Sequence, residues 1–242
     1  VSIKFGSRIF APHPLATLLA LALLALLISL GRWQLRRAHE KQALYDAFAS
    51  GADVTRLIDS ATPALPRYQH VQVSGHYDAS RQVLIDNMVE SQRAGYFVIT
   101  PFELKDGGWM LVNRGWVPLG QSRADRPAIP ADAAQRTIRG RADKLPSPGI
   151  QLGTRPALSP PYPLVASFPT HAELTALLQE PRWADAAELI LLDADQPDGY
   201  VRHWSAPGFP PMRHIGYAVQ WFGLAAALFV IYLVTNSRRV AP

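Results

Sequence analysis

Two uncharged apolar stretches stand near the two ends of the chain, and they restrict its architecture more than any other feature. Leu15–Leu30 reads LATLLALALLALLISL, sixteen residues without a charge. At about 1.5 Å per residue it falls short of a bilayer core of roughly 30 Å, unless it extends through Trp33 and Leu35 while Arg32 reaches back to the surface. Ile215–Val234 runs for twenty uncharged residues, with Tyr217 and Trp221 toward one end and Tyr232 toward the other, as interfacial aromatics stand. A cleaved signal peptide is the competing reading of the first stretch. Against it, no Ala-x-Ala follows, and Arg32, Arg36 and Arg37 crowd the place where cleavage would fall.

The expected architecture is a membrane protein of α+β class. Two transmembrane helices, 15–35 and 214–234, bracket one extracytoplasmic, mainly antiparallel β domain at 36–213, with a short helix. Residues 1–14 and 235–242 are then cytoplasmic tails. Arg238 and Arg239 directly after the second stretch place the C-terminus inside, and two spans bring the N-terminus to the same side. Arg32, Arg36, Arg37 and Lys41 pull the other way, but charge governs long translocated domains weakly. The net charge of +5 fits a membrane surface better than nucleic acid, because the arginines crowd beside the apolar stretches. Cysteine is absent, which excludes disulfides, thiolate metal sites and covalent haem attachment through Cys-x-x-Cys-His.

Between the stretches the pattern changes. RRAHEKQALYDAFAS keeps a helical period and continues the first helix. HVQVSGHYD alternates Val71, Val73, Gly75 and Tyr77, and RQVLIDNMV, GYFVITPFEL and WMLVNRGWVP are rich in branched and aromatic residues. Lys105-Asp106-Gly107-Gly108 is a hairpin signal between the last two. RTIRGRADKL and ELILLDAD read as further strands. Thr170 with Glu173 three residues on caps a short helix. Leu145–Pro163 and Ser205–Pro211 are proline-rich loops.

Chemistry-bearing motifs are scarce in this domain: no nucleophile elbow, no His-Glu-x-x-His and no phosphate-binding glycine loop. Asp193 and Asp195 read as a polar turn, and His70 and His76 as solvent-facing strand residues with no third ligand nearby. His214 stands at the mouth of the second span, where an ionisable residue is a functional candidate. At 3.6 residues per turn it shares a face with Tyr217, Ala218, Trp221 and Ala225, while Gln220 points aside. A neutral imidazole is a good haem-iron ligand; an interfacial histidine among belt aromatics fits as well. LGRWQLRR brings Trp33, Gln34, Arg36 and Arg37 to the same depth, and arginine forks suit propionates or lipid headgroups.

Four separated stretches, LGRWQLRR (Leu30–Arg37), GYFVITPFEL (Gly95–Leu104), LVNRGWVP (Leu111–Pro118) and HIGYAVQWFGLA (His214–Ala225), resemble the motifs of the surfeit locus protein 1 family, in order. The resemblance implies a non-enzymatic biogenesis factor for cytochrome c oxidase in the bacterial cytoplasmic membrane or the mitochondrial inner membrane; an Ala- and Arg-rich composition without a recognisable mitochondrial presequence favours the bacterial membrane, with the main domain periplasmic. It implies assistance to insertion of haem a into subunit I, with subunit I, haem a synthase and the bilayer as partners and no nucleic acid. It also implies that His214 is the iron ligand. With it, Trp33, Tyr217 and Trp221 are expected along the porphyrin face and Arg36 and Arg37 at the propionates. The alternative is a scaffold that steadies subunit I without binding haem, docking through Asn113, Arg114 and Trp116. The plainer role of those three is hairpin packing, with Arg114 paired to a carboxylate.

Overall fold

A computed structural model describes residues 3–5, 8–51, 54–122, 125–148 and 157–239. The chain forms two compact units: residues 1–46 with 206–242, and residues 47–205.

The first unit is a helical hairpin. Helix α1 runs Pro14–Ser50, and α3, the last of three α-helices among the described residues, runs Pro211–Thr235. The short strand β2 (Arg8–Phe10) pairs with β1 (Ile3–Phe5) on one side and with β11 (Ser237–Arg239) on the other, so a small antiparallel sheet joins the two terminal segments. In α1 the covered or half-covered positions include Thr17, Ala20, Leu24, Leu27, Gly31, Gln34 and Ala38; in α3 they include Pro211, His214, Ala218, Trp221, Ala225, Leu228 and Tyr232. Both series alternate steps of three and four residues. That mean of 3.5 keeps one seam facing the partner helix and gives a left-handed antiparallel pair. Small residues let the helices approach: a Cβ on Gly31 would lie 2.7 Å from the Phe222 ring. Outside the seam the apolar residues are bare, Leu18 by 65% and Val230 by 55%. Only 11% of each helix's apolar window is covered, whereas a core helix of a soluble protein is mostly buried. Both helices are long and apolar enough to cross a membrane.

The second unit is a β domain built on a closed barrel. Its strands are β3 (Arg56–Leu57), β4 (His70–Tyr77), β5 (Val83–Glu90), β6 (Arg93–Leu104), β7 (Trp109–Pro118), β8 (Arg136–Asp143), β9 (Leu164–Ala166) and β10 (Leu189–Leu192); α2 covers His171–Leu178. The neighbours run β4-β8-β10-β7-β6, and β6 returns to β4. Long β6 makes this possible. Its C-terminal end, Phe102–Leu104, pairs with Gly75–Tyr77 of β4, while its N-terminal half pairs with β5. Gly75 sits at the closure: a Cβ there would meet the Glu103 carbonyl oxygen at 1.9 Å. Most pairings are antiparallel, as expected; β3–β4, β7–β10 and β5–β9 are parallel. These parallel partners are short strands reached by long excursions, which leave no local turn signal.

Val71, Val73 and Tyr77 of β4 point into the barrel with Phe102, Met110, Val112 and Ile190. Strand β7 is buried on both faces except at Pro118. Met110 and Val112 fill the barrel, while Leu111 joins a second cluster with Val83, Ile99, Leu174 and Leu178, closed by α2. The capping box on α2 is present: Glu173 N–H donates to Thr170 Oγ1, and Thr170 N–H donates to Glu173 Oε2 at 2.7 Å.

The Tyr77 hydroxyl is buried and, among the described residues, has no hydrogen-bond partner. Burial pushes its pKa up to about 12, against the opposing pull of Arg114, Arg136 and Arg202. Between pH 10 and 12 the unfolded chain releases a proton that the folded chain keeps, so stability falls as pH rises, by roughly 3 kcal/mol at the upper end. Tyr77→Phe removes this slope and the cost of the orphan hydroxyl. Chemical denaturation should find it as stable as wild type or about 1 kcal/mol more so at pH 8, with the gap widening above pH 10. A variant less stable than wild type at pH 8 would show that the hydroxyl has a partner.

Candidate functional site at the hairpin mouth

At one end of the α1–α3 seam, His214 Nδ1 lies 2.8 Å from Gln34 Oε1. At the other end Thr17 Oγ1 and the Tyr232 hydroxyl lie 2.8 Å apart, and the Tyr232 ring meets Phe10 edge-on. Seventeen residues of α1 separate the two polar pairs, about 26 Å of helix. Everything along the seam between them is apolar or glycine.

Gln34 is 9% exposed. With the amide oxygen as acceptor, the ring donates from Nδ1, and in the neutral imidazole that tautomer leaves the lone pair on Nε2. This is how a metal-binding imidazole is commonly set: a hydrogen bond to one nitrogen fixes the tautomer and ring orientation for the other. His214 is half-buried, so the side chain is not fully enclosed in the seam.

Of the six residues expected at a porphyrin, three stay together. Tyr217, 47% exposed, flanks His214 on α3, and half-buried Trp221 follows on the seam side. Trp33 and Arg36 are turned roughly 100° and 160° from Gln34 around α1. They line a groove with Ala25, Ile28, Ser29 and Arg32 on the face away from α3. Arg37 stands nearer the seam but engages Glu40 at 2.6 Å. Depth alone put Trp33 and Arg36 beside His214; their angle around the helix puts them elsewhere. Gln34 is the residue that sequence reading passed over as the partner, although its place in the three-four repeat with Leu27, Gly31 and Ala38 signalled the seam.

In the barrel domain, Asn113, Arg114 and Trp116 are 1%, 2% and 5% exposed, so they offer no docking surface. The expected carboxylate partner of Arg114 is also not what holds it. Arg114 donates from Nε to the Asp198 carbonyl (2.7 Å), from Nη1 to Gln82 Oε1 (3.1 Å) and from Nη2 to the Pro130 carbonyl (2.7 Å). The Tyr77 and Tyr200 rings lie 5.1 and 5.2 Å from its guanidinium carbon. Burial pushes the guanidinium below its ordinary pKa. The nearby Asp198 carboxylate is taken by Arg136. Arg114 thus ties three loops to β7 at one end of the barrel.

His70 and His76 are half-buried rather than solvent-facing, each against a carboxylate: His70 Nε2 lies 2.7 Å from Asp193 and His76 Nε2 lies 3.2 Å from Glu103. Among the described residues no group of three or more His, Cys, Asp or Glu converges as a metal cluster would. A cleft beside β9 is lined by Arg126, Leu158, Leu164, Ala166 and Glu173; a lone acid and a lone base there assemble no chemistry.

The four motif stretches fall on α1, β6, β7 and α3. The SURF1 family model matches residues 21–226, which takes in all of them. The chain belongs to the SURF1 family. It is 28% identical to Surfeit locus protein 1 of Xenopus tropicalis over 88% of this chain and 73% of that protein. It is 25% identical to the SURF1-like protein of Rickettsia bellii over 86% of each chain. To Surfeit locus protein 1 of Takifugu rubripes it is 27% identical, over 87% of this chain and 92% of the other. Family members thus come from bacteria and animals, and the similarity runs through both long helices and the barrel.

Proposed function

We propose that this SURF1-family chain is a membrane-anchored, non-enzymatic assembly factor for cytochrome c oxidase. It handles haem a at the mouth of the α1–α3 hairpin on the way to subunit I. The observation that carries the reading is the Gln34–His214 hydrogen bond, which orients an imidazole at a helix mouth with Nε2 free. The bare apolar flanks of both helices support the membrane placement, since surface of that extent in water would drive aggregation. Arg238 and Arg239 after α3 support a cytoplasmic C-terminus, hence a periplasmic barrel domain in a bacterial inner membrane.

The residues present fit the cargo in one respect that matters. His214 offers a ring nitrogen, Nε2, whose opposite edge is already hydrogen-bonded, and the exposed Tyr217 ring and Trp221 supply flat apolar surface beside it. Haem a would bring the iron that takes the imidazole lone pair. Gln34 holds the proton on Nδ1, and the seam holds Gln34. A site open on the helix surface, not sealed within the seam, suits a carrier that must give its cargo away.

Deletion of the chain tests the assembly role. Oxidase purified from the deletion strain should contain markedly less haem a per subunit I, and the wild-type chain should restore it. An oxidase with its full haem a content in the deletion strain would rule the role out. A chain that still co-purifies with subunit I in cells unable to make haem a, and itself carries no haem in cells that do, would favour the scaffold.

A further inference from the structure

Arg32, Trp33 and Arg36 remain unexplained by a haem site at His214. They border a groove on the α1 face turned away from α3, floored by Ala25, Ile28 and Ser29. The other basic side chains near this end of the hairpin are engaged. Arg37 pairs with Glu40, Lys41 donates to the Pro207 carbonyl, and Arg213 lies over the Phe209 ring. Arg32 and Arg36 are exposed and, among the described residues, have no ion pair or hydrogen bond. They are four apart, so both project from one side of the helix, one turn from each other.

Their depth is fixed by the hairpin itself. They flank Gln34, about 26 Å of helix from Thr17, which sets them at the headgroup level of one leaflet if the apolar seam spans the hydrocarbon core. Trp33, 45% exposed, has the amphipathic ring that favours that level. Below it, Ala25 and Ser29 take little room, and Ser29 Oγ is turned back onto the Leu26 carbonyl at 2.7 Å. The floor is therefore apolar in effect and open to an acyl chain. We propose that this groove binds an anionic phospholipid. The phosphate is held between Arg32 and Arg36, the glycerol region lies against Trp33, and one acyl chain follows Ala25, Ile28 and Ser29. The inference rests on the membrane placement proposed above and assigns Trp33 and Arg36 to lipid instead of porphyrin. Neutral Ala25 and Ser29 beneath two unpaired cations favour a lipid over a partner helix, which would need its own acid at that depth.

The test is native mass spectrometry of the full chain in detergent, titrated with equal phosphatidylglycerol and phosphatidylcholine. Wild type should prefer phosphatidylglycerol. In R32Q/R36Q that preference should fall roughly 30-fold, as two arginines at the headgroup level contribute, while R37Q, whose cation is engaged by Glu40, should keep it. Equal preference in wild type and R32Q/R36Q overturns the site, as does displacement of the lipid by millimolar inorganic phosphate, which would mark a site for free phosphate. Alkaline carbonate extraction separates the two claims. A chain that stays in the membrane pellet but shows no preference defeats only the lipid site; a chain washed free defeats the membrane placement along with it. Purified from cells making haem a, R32Q/R36Q should retain the haem absorption of wild type; loss of both ligands together would return the groove to the haem site.

Discussion

Arg114→Ala should lower the melting temperature of the barrel domain by roughly 8–16 °C. The guanidinium is 2% exposed and spends its three kinds of nitrogen on Asp198, Gln82 and Pro130. Gln82 is bound in turn to Thr100 and to the Ile129 carbonyl, so one side chain gathers the loop after β10, the loop before β8 and the loop leading into β5. Truncation strands buried acceptors and opens a hole between the Tyr77 and Tyr200 rings. Hydrogen bonds from a charged donor are worth about 1.5–3 kcal/mol each, and losses within one network are not additive, so about 4 kcal/mol is a fair total. For a domain of this size each kcal/mol moves the midpoint by about 2–4 °C. Arg114→Lys should recover less than half, because an ammonium cannot address three separate acceptors from one plane. Thermal unfolding followed by the buried Trp116 fluorescence would measure both. A shift under about 2 °C would mean that the loops stand without Arg114 and would free it for some other role.

The second large effect is expected at Gln34. Gln34→Leu keeps the volume and the apolar seam but leaves His214 Nδ1 without its acceptor. Partners that orient a metal-binding histidine are commonly worth about 10- to 100-fold in affinity, so haem retention should fall by that order while the helices stay paired. Gln34→Glu supplies a stronger acceptor in the same place and should retain haem at least as well as wild type. A merely structural role would reverse this order, since a buried carboxylate costs the seam more than a leucine does.

Much of the architecture is legible along the chain. Alternation at Val71, Val73, Gly75 and Tyr77 gives β4 and its inward face, the Lys105–Gly108 turn gives the β6–β7 hairpin, and Thr170 with Glu173 gives α2. These are local signals, set within a few residues. The barrel's closure is not local: it depends on Phe102–Leu104 meeting Gly75–Tyr77 after β6 has already paired with β5, and on a four-residue β10 arriving parallel to β7. Nothing in Leu189–Leu192 marks that partner. The site divides in the same way. His214 is visible as an ionisable residue at a span mouth, and the family motifs draw attention to it. Its partner depends on the rotational phase of α1, where one residue, about 100°, separates the seam from its flank. Trp33 is the conspicuous residue in LGRWQLRR, yet the buried positions there are Gly31 and Gln34. Arg114 misleads for a related reason. An arginine in a strand suggests a carboxylate partner or a surface, whereas this one continues the inward series of Met110 and Val112 and meets carbonyls from loops far away in sequence.

The central claim is that His214 holds haem at the hairpin mouth, and the absorption spectrum of the purified chain from cells making haem a tests it most directly. Wild type should show a haem Soret band in stoichiometric amount, and His214→Ala should lose it or show it weakened and shifted while the far-ultraviolet circular dichroism of both helices stays unchanged. Equal haem with the same Soret band in wild type and His214→Ala would contradict the assignment.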